Sequence, residues 1–286
     1  MLFSLLVTLR EGLEIALVVT ILLGYLRNIN QKRHFREIWI GTAAAIALSL
    51  AFGGALELTS RELSGRVLEA FEGFTMLVAV TVLTWMVFWM KQQSAGISRD
   101  LRDQIDSALS HGTVAALVLL AFSSVAREGI ETTLFLFAGS TNSDSGAQFV
   151  LGGVAGFAIA AAAGVVLYYG AARLPLRQFF LVTGVVVVVL AAGLLANSLS
   201  ALHGAAILTD LGNRPWDTDA TLPMTSTMGK FLHTVLGYDS APAMAQLVAY
   251  WSYLVVVLSV YFCIPANAQK PRRRVESPPA AHAAER

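Results

Sequence analysis

The chain is short of charge. Only 14% of its 286 residues are Asp, Glu, Lys or Arg, while 56% are hydrophobic; a soluble domain carries roughly 25% charged residues. That deficit excludes an ordinary soluble enzyme and points to a membrane protein. A net charge of +1 argues against a nucleic-acid partner. The single cysteine, Cys263, excludes an internal disulfide and any paired-cysteine metal or redox motif. It lies near the end of an apolar run and reads as a small apolar filler. No glycine-rich phosphate loop ending in Gly-Lys-Ser/Thr is present, which argues against a direct ATPase role. The N-terminus lacks the basic start of a signal peptide, and Arg10, Glu11 and Glu14 interrupt its apolar run. Leu2–Leu26 therefore reads as a retained first span.

Long apolar runs are abundant. Seven are long enough to cross a bilayer, at roughly 2–26, 38–56, 73–90, 113–138, 149–170, 179–202 and 245–265. Alternate connecting segments carry 14 basic residues on one side and 4 on the other. The positive-inside rule then predicts the N-terminus outside and the C-terminus in the cytoplasm. Ile97, Leu101, Ile105 and Leu109 recur every four residues among charged neighbours, which predicts an amphipathic helix on the cytoplasmic face. Segment 203–244 contains Pro215, Pro223 and Pro242 and reads as short helices and turns. The tail from 266 to 286 reads as disordered. Its Lys270–Arg274 cluster reads as a topology anchor, with contact to anionic membrane lipid as the alternative.

Charge inside the spans is what needs explaining. Arg10-Glu11-Gly12-Leu13-Glu14 lies within the first run, and Arg127-Glu128-Gly129-Ile130-Glu131 within the fourth. Each Arg or acid near the centre of a span costs about 2.5–3.5 kcal/mol on insertion scales. The motifs are 117 residues apart, with three spans from one to the next. An odd number of crossings reverses direction, so residues 1–90 and 113–202 read as inverted repeats, with 245–265 as an extra span. Both motifs fall between the midplane and the outer surface.

Residues three apart share a helix face. Glu11 and Glu14 therefore aim at one point, as do Glu128 and Glu131. Arg10 can bridge to Glu14 and Arg127 to Glu131, and Gly12 and Gly129 permit close helix approach. Packed together, four carboxylates and two guanidiniums leave a formal charge of −2. A buried deficit of that size calls for a cation. Carboxylate oxygens suit iron, manganese, magnesium and calcium, and the absence of His and Cys from both motifs argues against zinc or copper(I). The competing reading is an Arg–Glu ion pair that only packs helices. It leaves the second Glu and the repetition unexplained.

A second acidic group precedes the third span. Glu69 and Glu72 share a face toward the outside, with Glu57 and Glu62 before them. They read as a loading site, Glu72 nearest the membrane; a solvated face with a Glu62–Arg66 pair is the alternative. Asp210, Asp217, Asp219 and Asp239 read as solvated loop acids, and His203 and His233 carry little of the metal argument. Tyr250, Trp251 and Tyr253 read as an interfacial belt.

The two Arg-Glu-Gly-Leu/Ile-Glu motifs, with Phe71-Glu72-Gly73 and the Gly237-Tyr238, Gln246 and Tyr250 region, resemble the oxidase-dependent iron transporters. These include fungal high-affinity iron permeases, bacterial Efe-type permeases and lead-uptake relatives. The resemblance covers about residues 1–265. It implies uptake of iron across the cytoplasmic (inner) membrane, with Glu11, Glu14, Glu128 and Glu131 as ligands and Arg10 and Arg127 balancing charge. It also implies a periplasmic iron-binding or oxidase partner. Ile130 replaces Leu13 of the first motif, and the extra acidic motifs of fungal members are not evident. The expectation is an all-α, seven-span permease with no permanent cofactor, iron being the cargo. Lead or manganese uptake stays open, as do a carboxylate di-iron oxidase and a homo-oligomeric assembly.

Overall fold

The computed structural model describes residues 1–93, 97–110, 114–141, 146–170, 176–226, 228–229, 232–233 and 237–263. The tail from 266 lies outside them. Seven helices of 20 to 29 residues dominate: α1 (Leu2–Asn28), α2 (Phe35–Glu62), α3 (Gly65–Gln93), α5 (Val114–Ser140), α6 (Gly146–Tyr168), α7 (Leu176–Gly204) and α8 (Met244–Cys263). The 14-residue α4 (Ile97–Ser110) joins α3 to α5. At about 1.5 Å per residue even the shortest long helix matches a hydrocarbon core about 30 Å thick.

Five helical stretches, at Lys32–Glu62, Gly65–Lys91, Gly146–Tyr168, Leu181–Gly204 and Met244–Cys263, combine the length and low charge of a membrane span. The two long helices outside that set are α1 and α5, which carry the charged motifs. Large apolar residues point outward on several elements, including Trp39, Ile46 and Leu50 on α2, Val150, Leu151 and Val154 on α6, and Val248, Val255 and Val256 on α8. An apolar surface that continuous is a lipid-facing one.

Small residues set the closest packing. On α2, Gly41, Ala45, Ser49 and Gly53 fall every fourth position, and Gly41, Ser49 and Gly53 lie against α5. A Cβ on Gly41 would sit 2.9 Å from Ala121 Cβ, and one on Gly53 2.7 Å from Thr133 Cγ2. On α6, Gly152, Gly156, Ala160 and Gly164 are buried at the same interval and face α1. Small residues at i and i+4 let backbones approach, and in lipid such dispersion contacts replace the hydrophobic effect. The resulting pairs are α1 with α6 and α2 with α5, while α3 pairs with α7 and α1 crosses α5.

α3 and α7 pack through bulkier residues, including Met76, Leu83, Met86, Val187, Val188 and Leu194. α8 docks on α7 through buried Gln246, whose amide donates to Ser200 Oγ at 2.8 Å and to the Ala196 carbonyl at 3.3 Å. Its Oε1 accepts the Ala243 N–H at 2.8 Å. Gly237, at φ +68°, brings the preceding loop so close that a Cβ would lie 2.5 Å from Gly193 Cα.

Several expectations change in detail. α2 and α3 run past their apolar stretches and are separated only by Leu63 and Ser64. Glu57 and Glu62 thus sit on the last turns of α2, and Glu69 and Glu72 on the first turns of α3. The Glu62–Arg66 pair does not form among the described residues: the break between α2 and α3 destroys its i,i+4 register, and Arg61 pairs with Glu57 at 2.9 Å instead. Cys263 is exposed on the last turn of α8 rather than packed as filler. Only Trp251 of the aromatic trio faces outward. Tyr253 turns inward to share a 2.6 Å hydrogen bond with Thr84, and Tyr250 is half-buried. The amphipathic segment is helical, with Leu101 and Ile105 buried against α1 and α5.

Candidate metal centre

The two motifs meet where α1 crosses α5. One oxygen each from Glu11, Glu128 and Glu131 lies within 4.8 Å of the others, and all three residues are buried. Glu14 does not join that cluster. Its Oε1 lies 3.4 Å from Arg10 Nη2 of its own helix, an ion pair without a hydrogen bond. Glu69 and Glu72 also lie outside it, half-buried near the start of α3. The Glu69 carboxylate packs against Gly204 at the end of α7.

The local sequence explains the convergence. Gly12 removes a side chain where α6 approaches: a Cβ there would sit 2.8 Å from Ala160 Cβ and 3.1 Å from Phe157 Cδ1. Gly129 does the same for α2, where a Cβ would sit 3.0 Å from Ser49 Cβ. Each motif glycine thus faces the third member of the other half's small-residue stripe. With α6 and α2 drawn in behind them, the Glu faces of α1 and α5 turn toward each other.

Both guanidiniums lean toward α3, but they are held differently. Arg10, 2% exposed, donates to Glu11 Oε1 at 2.8 Å and approaches Met86 Sδ at 3.1 Å. Arg127, 31% exposed, donates from Nε to Glu131 Oε1 at 3.1 Å and lies 3.6 Å from Glu128 Oε1. Its guanidinium sits 4.0 Å from the Trp89 ring centroid and 5.6 Å from that of Trp85. Met86, Trp85 and Trp89 were not singled out in the sequence. Their only signal there was two tryptophans at i,i+4 on a span, which is also an unremarkable lipid-facing pattern.

The electrostatics are unbalanced. Two ionised carboxylates within 4.8 Å repel by about 3.5 kcal/mol or more at an effective dielectric constant of about 20, and three such pairs converge. One oxygen of each motif glutamate is buried without a hydrogen-bond partner among the described residues. Buried acceptors of that kind are rare and costly. A multivalent cation between α1 and α5 would satisfy both the repulsion and the open lone pairs, and an all-oxygen donor set suits a hard or borderline metal.

The other acidic and histidine candidates have local partners. Asp210 accepts the Gly212 amide, Asp217 that of Asp219, Asp219 that of Met224 and Asp239 that of Ala241. These are turn-forming contacts. His203 and His233 each bond a backbone carbonyl five residues on, those of Leu208 and Tyr238.

The profile of the iron permease FTR1 family matches residues 1–270. The chain is 37% identical over 265 residues to a ferrous iron permease EfeU of Shigella sonnei and equally to one of Escherichia coli O157:H7, covering 92% of this chain and 95% of each relative. It is 34% identical over 264 residues to the ferrous iron permease EfeU of Yersinia pestis, covering 92% and 93%. No solved structure matches.

Proposed function

The chain belongs to the iron permease FTR1 family, and on that premise we propose that it imports ferrous iron across a bacterial cytoplasmic membrane through the α1–α5 carboxylate cluster. It is a multi-pass membrane transporter, not an enzyme; relatives named as permeases set the di-iron oxidase reading aside. The observation that carries the proposal is the meeting of Glu11, Glu128 and Glu131 within 4.8 Å, each with an unsatisfied buried oxygen.

In this reading seven helices cross the bilayer, the N-terminus outside and the C-terminus in the cytoplasm. α1–α3 and α5–α7 are inverted repeats and α8 is the extra span. The helix pairing supports it. Exchanging the halves turns the α1–α6 pair into α5–α2 and leaves α1–α5 and α3–α7 unchanged, and those are the extensive contacts among the six repeat helices. The small-residue stripes are also equivalent: Ser49 and Ala160 occupy matching places against Gly129 and Gly12.

Glu69 and Glu72, with Glu57 and Glu62 beyond them, gather the ion on the outer side. Glu11, Glu128 and Glu131 then replace part of its water shell, while Glu14, held by Arg10, is the reserve ligand. Toward the other end of α1 and α5, Leu22, Leu26, Ile38, Ile105, Leu117 and Ala121 are fully packed. Release therefore requires the halves to move. Such a rearrangement about a fixed midplane site is the usual consequence of inverted repeats.

Uptake of radioactive ferrous iron into proteoliposomes tests the assignment. Glu11→Gln, Glu128→Gln and Glu131→Gln should each abolish uptake in protein that still inserts and melts cooperatively. Wild-type rates in these variants would remove the cluster from the pathway.

A further inference from the structure

At the C-terminal end of α1, Gly24, Tyr25, Arg27, Asn28 and Arg102 line a cavity of about 410 Å³, within the roughly 300–1,000 Å³ of ligand pockets. Its lining brings together arginines from α1 and α4. An aromatic face steers each: Arg27 lies 5.7 Å from the Tyr168 ring centroid and Arg102 lies 5.8 Å from that of Tyr25. Neither arginine pairs with a carboxylate among the described residues. Asp106 takes the Tyr25 hydroxyl at 2.7 Å, and Asp103 is the other acid near that ring.

A helix C-terminus ordinarily repels anions through its open carbonyls. Here three of the last four are closed. Ile29 N–H bonds the Tyr25 carbonyl, Gln31 that of Leu26 and Asn30 that of Arg27, with Asn30 at φ +60° in the left-handed cap position. The two guanidiniums therefore dominate the cavity. Its level is also informative: Tyr168 and Tyr169 end α6 beside the exposed Val165 and Val166, the arrangement of an aromatic belt at the headgroup layer.

We propose that this cavity binds the phosphate of an anionic phospholipid, its oxygens shared between Arg27 and Arg102. Guanidinium forks match phosphate geometry, and basic pockets between spans are common headgroup sites on the cytoplasmic side. That leaflet assignment rests on the orientation given above; the site itself does not. The bound headgroup ties α1, which carries Arg10 to Glu14, to α4, whose Leu101 and Ile105 close the inner end of the helix cluster.

Native mass spectrometry and thermal unfolding of the full chain in detergent, titrated with phosphatidylglycerol or phosphatidylcholine, test the proposal. Phosphatidylglycerol should bind more tightly and raise the melting temperature. Arg27→Gln and Arg102→Gln should each weaken it about fivefold, the equivalent of about 1 kcal/mol per basic residue. Both should melt like wild type in phosphatidylcholine alone, which separates lost binding from misfolding, and the double Lys variant, which keeps the charge but loses the forks, should recover only part of the affinity. Equal affinity for the two lipids, or phosphatidylglycerol binding unchanged in both Gln variants, would overturn the site. Inorganic phosphate protecting as well as the lipid would overturn the phospholipid as its source.

Discussion

Gly12→Ala is the most informative single methyl group in this protein. The added Cβ would meet Ala160 Cβ at 2.8 Å and Phe157 Cδ1 at 3.1 Å, where relaxed carbon contacts sit at roughly 3.5–4.0 Å. Restoring those distances moves α6 away from α1 by about 1 Å or turns the Phe157 ring. The helix pair resists, because Gly152 and Gly156 seat α6 against Met1, Leu5 and Thr8 within the same stripe. Overpacking of this kind costs about 1–3 kcal/mol. It also displaces Glu11, one residue away, from a cluster whose oxygens lie within 4.8 Å; binding sites tolerate about 0.5 Å. The variant should therefore melt lower and lose most iron uptake. Ala160→Gly deletes the atom that is struck, so the double variant Gly12→Ala/Ala160→Gly should recover most of the stability and part of the uptake. A double-mutant cycle should read a coupling of about 1–2 kcal/mol. Gly54→Ala, with nothing within 4 Å of its Cβ, controls for a methyl added to a helix. The reasoning fails if Gly12→Ala transports and melts like wild type, or if removing the Ala160 methyl restores nothing.

Arg10→Met leaves Glu11 and Glu14 without their buried cation and should destabilise by about 3–5 kcal/mol, seen as a collapse in folded yield and melting temperature. Trp89→Leu removes the ring 4.0 Å from the Arg127 guanidinium. It should cost about 1–2 kcal/mol and lower uptake in protein that still inserts, measured in proteoliposomes. Gln246→Leu strands the Ala243 N–H and the α7 acceptors at about 1–3 kcal/mol, so limited proteolysis should release α8 first. Asp217→Asn and Asp239→Asn keep their turn-forming oxygens and should import iron at wild-type rates; a strong loss would mean that the loop acids collect the ion after all.

The charged motifs were legible because i,i+3 spacing and the price of charge in lipid act within one helix, before any partner is known. The convergence of α1 with α5 followed from those motifs, but the number of converging ligands did not. Four glutamates have the right spacing and three meet; Glu11 joins although Arg10 holds it at 2.8 Å, while Glu14, 3.4 Å from the same guanidinium, stays outside, a selection that spacing alone does not encode. The stripes at Gly41–Gly53 and Gly152–Gly164 stood in the sequence at a fixed interval of four. In apolar runs already rich in small residues, they gain meaning only when a facing helix shows which side they occupy.

The part of α3 was hidden for a deeper reason. A side chain that receives a guanidinium, such as Met86, Trp85 or Trp89, has the composition of one that faces lipid. Sequence periodicity separates polar from apolar faces but not two apolar faces with different neighbours. The asymmetry this creates has a mechanical consequence. In a symmetric pair of repeats, α7 would receive one motif arginine as α3 receives the other. Instead Arg10 reaches Met86 and Arg127 reaches Trp89, both on α3. A movement of α3 relative to α1 and α5 therefore changes the setting of both motif arginines together, whereas neither guanidinium bonds to or stacks on α7 among the described residues. If iron is released by relative motion of the halves, α3 is the element whose displacement frees both arginines from their outer contacts, and cross-linking α3 to α5 should arrest transport more completely than cross-linking α7 to α8.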